Sequence, residues 1–138
     1  MAANTHVSIA SWNLALNAML DVLNTGGYLE LYDSTGTGQP ATPNVAVTTQ
    51  VLLATCNLSA TAFGAASGGT KTANAITSGT GLAAGTATWA RAYTSGAVAV
   101  IDGSVGTSGC DFTMADTSVT IGAVVPATAW TVSMPTAQ

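Results

Sequence analysis

The clearest structural signal in this chain lies in residues 89–102, which read WARAYTSGAVAVID. The dipeptide Ser95-Gly96 separates two alternating runs, and a glycine accepts the positive φ that a two-residue hairpin turn requires. The register that follows from such a turn consists of the pairs Thr94–Ala97, Ala92–Ala99 and Ala90–Ile101. This pairing predicts a face of small apolar side chains directed at the core.

The opposite face of the hairpin carries residue types that are enriched at the centres of protein interfaces. It holds Trp89, Arg91 and Tyr93, with Arg91 diagonal to Asp102 and within reach of an exposed ion pair. We expect this face to be an interface, and the alternative is that Trp89 and Tyr93 pack under a loop or under the N-terminal helix. Two tyrosines on the outer side of an earlier strand complete the candidate interface: Tyr28 and Tyr32.

Residues 9–24 have the periodicity of an amphipathic helix. One arc is apolar and comprises Ile9, Trp12, Leu16, Met19, Leu20 and Leu23. The opposite side is polar and comprises Asn13, Asn17, Asp21 and Asn24. Ser8 or Ser11 can cap the start of this helix, and Gly26-Gly27 can end it.

The rest of the chain alternates between short strands and loops rich in Gly, Ser and Thr. Residues 33–49 read as a long loop, and strands are predicted at 28–32, 51–58, 73–77, 86–94, 97–105, 111–115, 118–125 and 128–134. About eight strands at hairpin spacing are typical of an antiparallel β-sandwich of Ig-like or jelly-roll type. The sequence therefore predicts a mainly β chain with one N-terminal helix, and a single domain over residues 1–138.

Composition narrows the class of protein. The 138 residues are 48% hydrophobic and only 6% charged, whereas soluble domains have about 25% charged residues. This excludes a disordered chain, and no apolar run approaches the ~18 residues of a membrane helix. With a net charge of −4 and only Lys71 and Arg91 as cations, we expect no nucleic-acid partner. Residues 1–6 lack the basic start of a secretory signal, which favours a cytoplasmic origin.

Side chains that could support catalysis are few and scattered. His6 is the single histidine, and a catalytic triad or a histidine-rich metal site has little else to build on. The six carboxylates show no paired spacing that would suit acid-base chemistry. Cys56 and Cys110 are expected to be free thiols, Cys56 as a small buried hydrophobe. We therefore predict no enzyme activity, no metal and no cofactor.

Several segments together resemble a family of small virion structural proteins of tailed bacteriophages. These segments are Ala15 to Leu23, Leu29 to Tyr32, Leu52 to Thr55, Ala62 to Gly69, Gly85 to Trp89, and Asp102 to Gly109. The resemblance covers the chain from about residue 11 onward and depends on the order and spacing of the segments.

The resemblance implies a virion component, assembled in the bacterial host cytoplasm, of the decoration or cement type. Such a protein would bind the major capsid protein from outside, and the resemblance further implies a homotrimer with no catalytic residues. The charge-poor surface is consistent with permanent contact with neighbouring proteins. The alternative is a tail-associated adhesin or fibre component that binds a host carbohydrate, with Tyr28, Tyr32, Trp89 and Tyr93 as stacking platforms.

Overall fold

The computed structural model describes residues 5–33, 38–127 and 129–134. Helix α1 (Ile9–Leu20) continues into a 3-10 turn (Asp21–Leu23). Within the described residues, eleven strands follow: β1 (Tyr28–Asp33), β2 (Val51–Asn57), β3 (Thr70–Thr72), β4 (Gly79–Thr80), β5 (Gly85–Thr86), β6 (Trp89–Tyr93), β7 (Ala99–Gly106), β8 (Phe112–Thr113), β9 (Ser118–Val119), β10 (Val124–Val125) and β11 (Ala129–Ser133). The prediction of a mainly β chain with one N-terminal helix is confirmed.

Helix α1 begins where the sequence predicts. The Ser8 hydroxyl accepts a hydrogen bond from the Ser11 backbone N–H at 3.1 Å and so caps the first turn. Three leucines on the predicted apolar arc, Leu16, Leu20 and Leu23, are fully buried. The helix therefore joins the core through these leucines, because at 3.6 residues per turn they share one side.

Seven strands form the large sheet, in the order β2-β1-β6-β7-β8-β11-β3. All neighbouring pairs are antiparallel except β7 and β8, which run parallel. The sheet is therefore mixed, and the prediction of a purely antiparallel arrangement is wrong at this pair. The Asp111 carboxylate accepts hydrogen bonds from the Ser104 N–H and hydroxyl, at 3.0 and 2.9 Å, and so returns the chain alongside β7.

The central hairpin forms, but with a different register. Thr94 N–H donates to the Val98 carbonyl at 2.9 Å, so the loop has three residues, and Ala97 takes a positive φ of 61°. The β6 and β7 pairs are Trp89–Ser104, Ala90–Gly103, Arg91–Asp102, Ala92–Ile101 and Tyr93–Ala99, with an irregularity between Ala92 and Tyr93. The predicted two-residue turn is therefore wrong, although the predicted separation of Trp89, Arg91 and Tyr93 from Ala90 and Ala92 holds.

Three predicted strands are divided or displaced in the structure, and the one predicted at 86–94 is divided between β5 and β6. Residues 118–125 form β9 and β10, because Ala123 N–H bonds the Thr120 carbonyl at 3.1 Å and Gly122 has a φ of 79°. The strand predicted at 73–77 is wrong: β3 precedes it and β4 follows it, with isolated bridges at Ala73 and Ile76. Turn residues interrupt the 118–125 segment, whereas 73–77 has only the two bridges.

Two small sheets accompany the large one. The pair β10–β4 lies against β2, and the pair β5–β9 lies against β1. Leu82 N–H donates to the Leu53 carbonyl at 2.7 Å and fixes the chain after β4 beside β2. Apart from Tyr32 and Trp89, the buried hydrophobic side chains of the helix, the large sheet and the small sheets belong to one cluster.

Gly81 holds the loop between β9 and β10 close to β4. A Cβ at Gly81 would lie 2.1 Å from the Thr120 carbonyl oxygen, whereas a Cβ at Gly96 would meet nothing closer than 3.8 Å. We predict that Gly81→Ala lowers the free energy of unfolding by about 1–3 kcal/mol, since the backbone has to move apart.

Urea denaturation checks this, with Gly96→Ala as the matched control. Equal stability of the two variants would contradict the close approach at Gly81.

Candidate functional site

The structure brings the five candidate interface residues together on β1 and β6. Tyr32 stacks on Trp89 with ring centroids 4.4 Å apart, and Tyr28 stacks on Tyr93 at 5.2 Å. Trp89, Tyr32 and Arg91 are buried, whereas Tyr28 and Tyr93 are partly exposed. The five residues predicted as an interface thus lie together, but three of them are buried inside the protein.

Arg91 explains why this face is closed. Its Nε and Nη2 donate to the two carboxylate oxygens of Asp102 at 2.6 and 2.8 Å. Nη1 donates to the Val45 carbonyl at 2.7 Å and Nη2 to the Thr42 carbonyl at 3.1 Å. The guanidinium carbon lies 5.5 Å from the Trp89 ring centroid. These contacts tie residues 38–50, here called the covering loop, to β6 and β7.

The expectation of an exposed Arg91–Asp102 pair is therefore wrong. The exposed fractions of the two side chains are 2% and 6%. Of the two aromatic residues in the alternative prediction, Trp89 is buried and Tyr93 is partly exposed. The Asp102 carboxylate raises the pKa of Arg91, and burial together with the Glu30 hydrogen bond raises the pKa of Tyr32. Trp89 and Tyr32 cannot serve as exposed sugar-stacking platforms, because both side chains are buried.

A second polar cluster, which sequence reasoning missed, lies where α1 meets β3. Lys71 Nζ contacts Asp21 Oδ1 at 2.5 Å and Asn17 Oδ1 at 2.9 Å. The Lys71 side chain is 1% exposed, whereas that of Asp21 is 53% exposed. The only lysine of the chain is therefore buried against the polar side of the helix.

The asparagines on α1 and just after the 3-10 turn accept hydrogen bonds from the backbone of the loop that precedes β3. Asn13 Oδ1 accepts from Gly69 N–H at 2.9 Å, and Asn17 Oδ1 accepts from Ala66 N–H at 3.2 Å. Asn24 Oδ1 accepts from Ala62 N–H at 2.8 Å. The signal was present in the sequence, since Asn13, Asn17 and Asp21 recur every four residues and so share one helix face. The sequence predicted a polar side of the helix, and in the structure the asparagines of that side accept hydrogen bonds from the loop before β3.

A cavity of about 330 Å³ opens beside Lys71. Its walls combine charged and amide side chains from α1, the 3-10 turn region and β3 with residues of the loop before β3. The lining residues are Asn17, Asp21, Asn24, Thr61, Phe63, Gly64, Ala65 and Lys71.

A third feature is an exposed apolar patch on the β4–β10 pair. The patch consists of Leu82, Ile121 and Val124, whose exposed fractions are 56%, 67% and 72%. Gly81 N–H donates to the Ala123 carbonyl at 2.8 Å, and Gly122 N–H donates to the Gly81 carbonyl at 2.8 Å, so the segments are adjacent. Residues 79–85 and 118–127 contain no charged side chain. The sequence predicted no special role for these residues.

Removing Arg91 should destabilise the fold strongly. We predict that Arg91→Met lowers the free energy of unfolding by about 3–5 kcal/mol, because it leaves a buried carboxylate without its partner. The double variant Arg91→Met/Asp102→Leu should recover a large part of that loss, since the unpaired charge is also gone. Chemical denaturation of both variants is the measurement, and a loss below about 1 kcal/mol for the single variant, typical of exposed pairs, would contradict a buried clamp.

The burial of both cations predicts resistance to trypsin. Lys71 and Arg91 are the only Lys and Arg residues, and each is 2% exposed. The cleavage rate should therefore be set by the small population of molecules that have unfolded locally or globally. Gel analysis of a digestion time course checks this against the variant Asn44→Lys, which puts a lysine on the exposed covering loop. Equal cleavage rates for the two proteins would show that Lys71 or Arg91 is accessible.

Comparisons with known proteins give no assignment. The chain matches no protein-family model, no curated protein and no solved structure. Among the described residues, no three His, Cys, Asp or Glu side chains are grouped closely enough to hold a metal ion, and both cysteines are free. No helix in the described part of the chain is both long enough and apolar enough to cross a membrane.

Proposed function

We propose that this protein is a structural component of a tailed-bacteriophage virion, a decoration or cement protein that binds the major capsid protein. The assignment to this class of virion protein is what the resemblance to small structural proteins of tailed bacteriophages implies. The observation that carries the proposal is the charge-free apolar patch of Leu82, Ile121 and Val124. The protein would assemble in the bacterial host cytoplasm, remain on the particle and associate as a homotrimer.

The charges of the surface support a role in protein contacts. Both Lys and Arg residues are buried, so the surface has carboxylates but no Lys or Arg to balance them. Exposed carboxylates such as Asp111 and Asp116 repel a polyanion. A protein whose exterior has no lysine or arginine is poorly suited to binding nucleic acid, and well suited to contacts made by apolar and neutral polar groups.

The apolar patch is the surface that would meet the capsid protein. Large aliphatic side chains exposed next to one another mark interaction sites more often than isolated exposed leucines do. Because residues 79–85 and 118–127 carry no charge, the occupant that fits them is an uncharged, apolar surface of the shell. Burying an aliphatic side chain fully is worth about 1.5–3 kcal/mol.

The experiment measures occupancy on capsids that lack the protein. Purified capsids are incubated with the wild-type chain, with Ile121→Ser/Val124→Ser, and with the control Val98→Ser. Val98 is 63% exposed but lies on the β6–β7 turn. We expect the double variant to lose at least about tenfold in affinity, equivalent to 1.4 kcal/mol, while its melting temperature and the control's binding stay at the wild-type level.

Two outcomes would overturn the proposal. Equal occupancy of the double variant and the Val98→Ser control would remove the patch as the contact. A copy number of a handful per particle, measured by quantitative mass spectrometry of purified virions, would place the protein in the tail instead of the shell.

A further inference from the structure

We propose that the cavity beside Lys71 binds a neutral polyhydroxyl ligand, a single saccharide unit at the end of a glycan. The inference rests on the donors, acceptors and charges around this cavity and is independent of the proposed shell contact. A volume of about 330 Å³ lies at the small end of the range for ligand sites, about 300–1,000 Å³. It suits a ligand of monosaccharide size.

The walls of the cavity are held in place by the fold. Asn17 lies on α1, Asp21 and Asn24 lie on the 3-10 turn and just after it, and Lys71 lies on β3. The hydrogen bonds to Ala66 and Ala62 N–H fix the two asparagine side chains. A site whose side chains are already bonded to the backbone loses little freedom when a ligand binds.

The way these bonds are made leaves donors for a ligand. The oxygen of Asn17 is engaged by Lys71 and Ala66, and the oxygen of Asn24 is engaged by Ala62. The group that each amide can still offer is its NH₂, a double donor. Asp21 binds Lys71 through Oδ1 and, being half exposed, can offer Oδ2 as an acceptor.

This set of groups suits hydroxyls better than ions. Lys71 and Asp21 neutralise each other at 2.5 Å, and the other lining residues are uncharged. An anion would meet the Asp21 carboxylate, and a cation would meet Lys71. A hydroxyl donates and accepts at the same atom, so neighbouring hydroxyls could give a proton to Asp21 and accept from the amides of Asn17 and Asn24.

The test uses the full chain labelled with ¹⁵N and titrated with neutral monosaccharides. The probes are glucose, galactose, mannose and N-acetylglucosamine, with glucuronate and glucosamine as charged comparators. At least one neutral sugar should shift the backbone amides of Ala62, Gly64, Ala66 and Gly69 saturably, with a Kd of about 1 mM. Of glucuronate and glucosamine, the one whose structure is closer to that sugar should bind at least about fivefold more weakly than the sugar itself.

A matched pair of variants separates binding from folding. Asn24→Asp keeps the oxygen that accepts from Ala62, replaces the NH₂ donor with a carboxylate oxygen and adds one negative charge, so it should retain the native spectrum and lose at least about tenfold in affinity. Asn57→Asp makes the same change at an exposed position at the end of β2 and should bind like the wild type. If Asn24→Asp fails to fold, Ala65→Leu provides the second test, since it narrows the cavity from an exposed lining position.

The proposal fails if no neutral sugar gives saturable shifts up to about 100 mM, two orders of magnitude above the expected Kd. It fails equally if a charged comparator binds more tightly, or if the folded cavity variant binds as the wild type does. None of these results bears on occupancy at the capsid, so the two proposals can fail separately.

Discussion

The ion pair between Arg91 and Asp102 closes one side of the large sheet, and the arrangement of that side depends on it. Moving two charges out of water costs several kcal/mol per ion, and the cost is recovered only when every donor finds a partner. Here the guanidinium reaches four acceptors: both Asp102 oxygens and the carbonyls of Thr42 and Val45. A lysine, with its donors on one atom, could not span them. The covering loop is therefore attached by a geometry that only arginine provides.

Lys71 makes a similar attachment at β3, the edge strand farthest from β2 in the sheet order. It joins the edge strand to α1 through Asp21 and Asn17, and the helix asparagines extend that junction to the loop before β3. Each cation of the chain thus links a segment without regular structure, or a helix, to the sheet. The consequence is an exterior without lysine or arginine, because both are used inside. The burial of Lys71 and Arg91 therefore has two results: it attaches segments to the sheet, and it leaves the exterior without Lys or Arg.

The sequence predicted local structure well and long-range contacts poorly. Helix α1 and the division of the hairpin into a small apolar face and an aromatic face follow from periodicity alone, and the Ser8 cap is one of the two serine caps that the residue types allowed. The register does not, because Ala97 takes a positive φ that the position of Gly96 did not indicate. The burial of Arg91 depends on carbonyls that are 46 and 49 residues away in sequence, and Lys71 depends on Asp21 at a separation of 50. No periodic pattern encodes such pairs. The sequence therefore did not predict that the loop binds Arg91 or that the polar side of the helix binds Lys71.

The distribution of charge on the exterior also affects which parts of the surface can associate with other proteins. A chain with net charge −4 and carboxylates as its main exposed charges presents like charge to every other copy. That repulsion acts over about 8 Å at physiological ionic strength, so it protects the surface around the carboxylates and is weakest where none is near. Residues 79–85 and 118–127 lack charge altogether, and they display Leu82, Ile121 and Val124. The patch contributes no charge of its own, so apolar attraction can act there, and the carboxylate of Asp116, which accepts from Ser118 N–H at 2.9 Å, is a neighbouring charge that any partner also has to accommodate.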